Sequence, residues 1–175
     1  MTGFDIAGDE AGFPIDAHVS AFKYAATHNI PCTAHAGEAR GPRSVWETLQ
    51  HFSPLRLGHG VRCIEDTTLL EHLRKHNIHL EICPTSNIQT DVFQTYPSHP
   101  ISNIYEAGLS ISINTDARTM ANITLTQEYE KLHRTFSWGK EQFLQCNLHA
   151  LRAAFISEPI KHKLIDRLLD MYHAL

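Results

Sequence analysis

Short apolar runs in this chain alternate with longer stretches of helical periodicity, and the runs keep ending in the same kind of residue. Gly3 to Ala7 reads as a strand that stops at Gly8-Asp9-Glu10. Asp16 to His28 carries Val19, Phe22 and Ala26 at helical spacing, and Asn29-Ile30-Pro31 closes it before a second strand, Cys32 to His35. Pro42 then opens a helix with Val45, Trp46 and Leu49 on one face, and Leu55 to Leu57 leads into Gly58-His59-Gly60. Asp66 is placed to cap a helix bearing Leu69, Leu70 and Leu73, after which Ile78 to Ile82 forms a strand ending in Cys83-Pro84-Thr85-Ser86-Asn87. Thr90 to Pro100 has no clear period and is expected to be a surface loop. Ile101 to Ala107 predicts a short helix stopped by Gly108, and Leu109 to Ile113 alternates as a strand that ends in Asn114-Thr115-Asp116. Beyond it Thr124–Phe136, Lys140–Phe155 and Pro159–Tyr172 predict helices, the last with an apolar stripe of Ile160, Leu164, Ile165, Leu168 and Leu169 behind Ser157 as cap.

Strands separated by helical crossovers pair in parallel, so the fold class is α/β. In such folds the loops after the strands converge on one face, and ligand-binding groups collect there. About five strands can be counted, whereas a (β/α)₈ barrel needs eight and typically about 250 residues. The chain is therefore either an open sheet or part of a barrel without its beginning.

Composition narrows the function. With 175 residues and 42% hydrophobic content, one domain over residues 1–175 is expected. A net charge of -4 without a basic patch argues against a nucleic-acid partner, and no apolar run approaches the roughly 20 residues of a membrane span. Cys32, Cys63, Cys83 and Cys146 are widely spaced and no signal-like segment opens the chain, which points to the cytoplasm. A small molecule is the expected partner.

The strand-end residues able to bind a metal or move a proton are His35, Glu38, His59 and Asp116. His35 and Asp116 have the chemistry of zinc ligands, with His59 holding or deprotonating a water and Glu38 free to deliver a proton if a closed site raises its pKa. The bland alternative makes His59 and Asp116 polar caps on strand ends and Glu38 a surface carboxylate. Cys32 is read as packing, since alternation puts it on the face opposite His35. No partner is evident for His79 or His99, and the remaining histidines are read as helix-surface groups.

The segments Phe4-Asp5-Ile6-Ala7-Gly8-Asp9-Glu10, Thr33 to Glu38, Arg56-Leu57-Gly58-His59-Gly60, Glu81 to Asn87 and Ser112 to Asp116 closely resemble the successive strand-end motifs of the adenosine deaminase family, in order. The resemblance implies a partial TIM barrel, its strands 4 to 8 plus C-terminal helices, in a zinc-dependent hydrolase that converts adenosine or deoxyadenosine to inosine and ammonia in purine salvage. By that resemblance His35 and Asp116 are zinc ligands, Glu38 the proton donor to purine N1, His59 the residue orienting the attacking water, and Gly8 a backbone donor to the purine, with Asp116 also at the substrate. Two departures stand out. The family's His-x-His strand, which supplies two zinc ligands, is absent from this sequence, so weak zinc retention is expected; and a second aspartate usual after Asn-Thr-Asp is Ala117 here, followed by Arg118. The alternatives are a deaminase of adenine, AMP or another 6-aminopurine, or an inactive fragment that folds or self-associates through open strand edges.

Overall fold

The computed structural model describes residues 2–174. Four parallel strands, β1 (Thr33–Ala36), β2 (Arg56–His59), β3 (His79–Ile82) and β4 (Ile111–Ile113), lie side by side in chain order. A doubly wound sheet reverses its strand order partway, whereas a barrel adds each strand beside the last; the order here is the barrel's. The expected strand over Gly3–Ala7 is reduced to a single parallel bridge, Phe4 to Cys32. Its backbone still runs along β1, since Thr33 N–H donates to the Phe4 carbonyl and His35 N–H to that of Ile6, both at 3.0 Å. The segment lies beside β1 and no backbone bond joins it to β1 beyond Ile6 among the described residues, so too little of it pairs to extend the ladder.

The helices are α1 (Val19–Thr27), α2 (Pro42–Phe52), α3 (Thr67–Lys75), α4 (Pro84–Gln89), α5 (Ile101–Glu106), α6 (Arg118–Ala121), α7 (Leu125–Phe136), α8 (Lys140–Ala153) and α9 (Glu158–His173). Asp66 caps α3 as expected, accepting from the N–H groups of Thr68 and Leu69. Thr124 and Gln127 form a reciprocal cap at the start of α7. Two short helices were not anticipated. α4 is begun by Pro84, which needs no N–H partner at the first helical position, and α6 spans only one turn. Ser157 precedes α9 without a side-chain capping bond, and the apolar stripe of α9 has no fully buried residue.

Alternation along the strands divides the sheet into two faces. Ala36, Leu57, Leu80, Ile82, Ile111 and Ile113 enter the main apolar core together with Val45, Leu69, Leu73, Ile101, Ile104 and Leu132 of the helices. A smaller cluster joins Phe22 and Phe52, stacked at 3.8 Å, to Cys32 and Ala34, which is the packing role expected for Cys32. Residues one position out of step, in register across the sheet, are polar: Thr33, Arg56 and His79 at one level, and His35, Gly58, Glu81 and Ser112 at the next. Several of them pair with one another or with a neighbouring strand-end side chain. Thr33 donates to Glu81 at 2.9 Å, Arg56 pairs with Glu81 at 3.3 Å, and the buried His79 ring bonds Ser110 and Ser112 at 2.8 and 2.9 Å. His79 thus has the partners that its place in the sequence did not reveal, because they are side chains in and just before β4, 31 and 33 residues away. Burial drives its pKa down to about 3, so the ring is neutral.

Candidate active site

The carboxyl ends of β1, β2 and β4 carry His35 and Glu38, His59, and Asp116 in turn, and three of the four line one cavity. The packing of His35 dictates its neighbour. A Cβ on Gly58 would lie 2.3 Å from the His35 ring carbon Cδ2 and 2.8 Å from Nε2, so only glycine at position 58 leaves room for this imidazole. The His35 and His59 rings meet edge to face with centroids 4.9 Å apart. His59 has a φ of +60° and Asp116 one of +53°, left-handed conformations that take each side chain out of the strand's alternation and turn it toward the site.

Glu10 organises the loop that carries Glu38. Its carboxylate accepts from the N–H groups of Gly37 at 2.6 Å, Glu38 at 3.0 Å and Arg40 at 3.0 Å, and from the Ser44 hydroxyl. Four donors on one carboxylate pin the β1–α2 loop to the segment before α1. In the sequence Glu10 is visible only as an acid at a strand end, with nothing to say which donors it meets.

Glu38 faces His59, with Oε2 3.5 Å from Nε2, while its Oε1 accepts from Asn87 Nδ2 at 3.0 Å and Thr90 Oγ1 at 3.3 Å. Burial holds the His59 pKa below its ordinary value; Glu38 pulls it up and His35 pushes it further down. On the other side Ser86 donates to Asp116 Oδ2 at 2.7 Å, leaving Oδ1 without a hydrogen bond among the described residues. Ser86, Asn87 and His99 were not singled out from sequence. The sequence marks His99 only by its place before Pro100; the structure buries it and shows its partner to be Asn87, at 3.2 Å.

Two cavities meet at His35. One of about 190 Å³ is lined by His35, Gly58, His59, Glu81, Cys83, Asn114 and Asp116. The other, of about 370 Å³, has walls from Ile6, Gly8, Phe13, Ile15 and His18, again with His35. No hydrogen bond engages the Gly8 N–H among the described residues. The small cavity has the donor types of a zinc site, an imidazole and a carboxylate oxygen without protein partners, but they amount to two, and no group of three or more metal-binding side chains is found among the described residues. Cys83 also lines it, yet burial raises its pKa well above the ordinary thiol value, so it stays protonated. Ala117 and Arg118 are exposed beside Asp116. The structure gathers His35, His59 and Asp116 around the small cavity and sets Glu38 against His59. No helix is long and apolar enough to cross a membrane among the described residues.

A sequence model described as Adenosine deaminase matches residues 1–171. The adenosine deaminase of Aliivibrio fischeri (strain MJ11) is 40% identical over 166 residues, covering 95% of this chain and 50% of the relative. The adenine deaminase of Sinorhizobium medicae (strain WSM419) is 37% identical over 168 residues, covering 96% and 52%. Among solved structures, adenine deaminase from Arthrobacter aurescens superposes with a TM-score of 0.93 at 24% identity, covering 98% of this chain and 52% of that one. The chain spans about half the length of the curated relatives it matches.

Proposed function

This chain belongs to the adenosine deaminase family, and on that premise we propose that its strand-end residues form part of a site for zinc-dependent hydrolysis of adenosine and deoxyadenosine to inosine or deoxyinosine and ammonia, as in purine salvage. The observation that carries the reading is the convergence of His35, Glu38, His59 and Asp116 beside a cavity large enough for a nucleoside base.

His35 and Asp116 would hold the metal, which when bound supplies a nucleophile at neutral pH by lowering the pKa of a coordinated water to about 7. With two donors from this chain, further ligands must come from outside it. The remaining work falls to groups already in place. Attack of water at C6 of the purine moves electron density to N1, and Glu38 is the acid that meets it there. Oε1 already accepts from Asn87 and Thr90, so the carboxyl proton belongs on Oε2, the oxygen with no protein donor closer than His59. Transfer of that proton to N1 stabilises the tetrahedral adduct where its charge develops; of the two protons of the water, one leaves with the amino group as ammonia departs from C6 and the other restores Glu38, leaving the 6-oxopurine. His59 orients the attacking water. Gly8, which lines the larger cavity, would donate its N–H to the purine ring.

A second reading, deamination of adenine, AMP or another 6-aminopurine, is favoured by Ala117, which cannot make the purine contact that an aspartate would. The 37% identical relative from Sinorhizobium medicae is an adenine deaminase. A substrate panel of adenosine, deoxyadenosine, adenine and AMP, presented to the full-length polypeptide that carries these residues and followed by ammonia release, separates the two. Preference for adenosine supports the first reading, preference for adenine or AMP the second, and no ammonia from any of them refutes both.

A further inference from the structure

Behind the four strand-end residues lies a fully enclosed chain of hydrogen bonds whose direction can be worked out from one obligatory donor. The backbone N–H of Ile101 points at His99 Nδ1 at 3.2 Å. A backbone amide can only donate, so Nδ1 must accept, and the ring proton of neutral His99 lies on Nε2. Burial pushes the His99 pKa down to about 3, which keeps the ring neutral. Nε2–H therefore donates to its neighbour, Asn87 Oδ1, at 3.2 Å.

That contact in turn orients the amide. With the oxygen of Asn87 held by His99, its NH₂ group faces the site and directs one hydrogen to Glu38 Oε1 at 3.0 Å and the other to His59 Nδ1 at 3.1 Å. His59 Nδ1 then accepts. Its own proton must sit on Nε2, the nitrogen that faces Glu38 Oε2. Each member is nearly or wholly buried, His59 at 1%, Asn87 at 0% and His99 at 2% exposure, so water offers no competing partner.

We infer that Asn87 and His99 are positioning residues that lock His59 in its Nε2–H tautomer, so that His59 presents a hydrogen-bond donor to the site and cannot accept a proton from the attacking water there. His59 in that form holds the water and does not deprotonate it. That catalytic consequence rests on the deaminase reading, whereas the tautomer itself rests on the hydrogen bonds alone. Flipping the Asn87 amide would place its oxygen against Glu38 Oε1 and its NH₂ against the His99 donor, two opposed pairs in a dry interior, which is why the direction is set.

Long-range ¹H–¹⁵N spectra of the 175-residue chain labelled at histidine, with His59 and His99 assigned by loss of their signals in the single variants, read the tautomers directly. Both rings are expected in the Nε2–H form. In Asn87→Asp the carboxylate can only accept, and His59 should change to the Nδ1–H form; in His99→Phe the amide is released and His59 should show both forms. A His59 found mainly as Nδ1–H in the unaltered chain overturns the inference, and so does a His59 tautomer unmoved in both variants. The first spectrum decides even where a variant fails to fold. In the full-length polypeptide, Asn87→Asp should lower kcat at least tenfold with little change in KM. If kcat holds while the tautomer changes, the inferred role in the reaction is overturned; if no purine is deaminated while the tautomers are as stated, the deaminase reading fails and the relay stands.

Discussion

Replacing Glu10 by glutamine tests how the site is built while leaving its reactive groups untouched. In the native chain Oε1 takes Gly37 N–H and the Ser44 hydroxyl, and Oε2 takes the N–H groups of Glu38 and Arg40. An amide has one oxygen. Whichever pair it serves, its NH₂ confronts the other, so two hydrogen bonds to a charged acceptor are lost. At about 1.5 kcal/mol each, the low end for charge-assisted bonds, the variant should be less stable by about 3 kcal/mol. For a chain of this size that corresponds to a fall in Tm of roughly 6–12 °C. Urea denaturation at pH 7 gives the free energy, and amide hydrogen exchange gives its location, since Glu38 and Arg40 should lose protection before the strands do. A loss below about 1 kcal/mol, or unchanged exchange at those two amides, would refute the claim that Glu10 holds the loop.

Three further outcomes follow from the same structure. His79 and His99 both have pKa values depressed to about 3 in the folded state, against about 6.5 unfolded, so their contribution is present above pH 6.5 and is lost as pH falls toward 3, because the unfolded chain takes up protons first. Each should cost roughly 2 kcal/mol of stability between pH 7 and pH 5, and the drop measured by urea titration should shrink by that amount in His79→Gln; an equal drop in both proteins would count against it. Gly58→Ala places a methyl group against the His35 ring, so it should cost about 1–3 kcal/mol and displace that ring, visible as a changed His35 resonance. Because two free donors among the described residues line the small cavity, the 175-residue chain by itself should hold well under one zinc per molecule after dialysis, by elemental analysis, and form little inosine; stoichiometric zinc with inosine formation would mean that other residues complete the site.

Much of this was legible in the strand ends. Parallel strands with helical crossovers follow from local periodicity, and Gly37, Gly58 and Gly60 flag places where the backbone makes room or turns left-handed. His35, Glu38, His59 and Asp116 could be chosen because each closes an apolar run. What stayed hidden is tertiary by nature. Glu10 reaches donors 27 to 34 residues away, and Glu128, buried in α7, ties Thr85 N–H and the Tyr96 hydroxyl together, holding the start of α4. His99 lies in a segment without period, and its role emerges only when α4 brings Asn87 against it. The strand expected over Gly3–Ala7 shortens to a single bridge because apolar alternation does not show whether an edge segment keeps its pairing.

In the proposed reaction Glu38 is the acid on which protonation of the purine depends. The most direct test compares adenosine turnover by the full-length polypeptide and its Glu38→Gln variant, which keeps the Asn87 contact but has no proton to give. Turnover should fall by 10²–10⁴, the usual contribution of a general acid, with the thermal midpoint within a few degrees of the unaltered protein. A variant that converts adenosine within a few-fold of the original rate would contradict it.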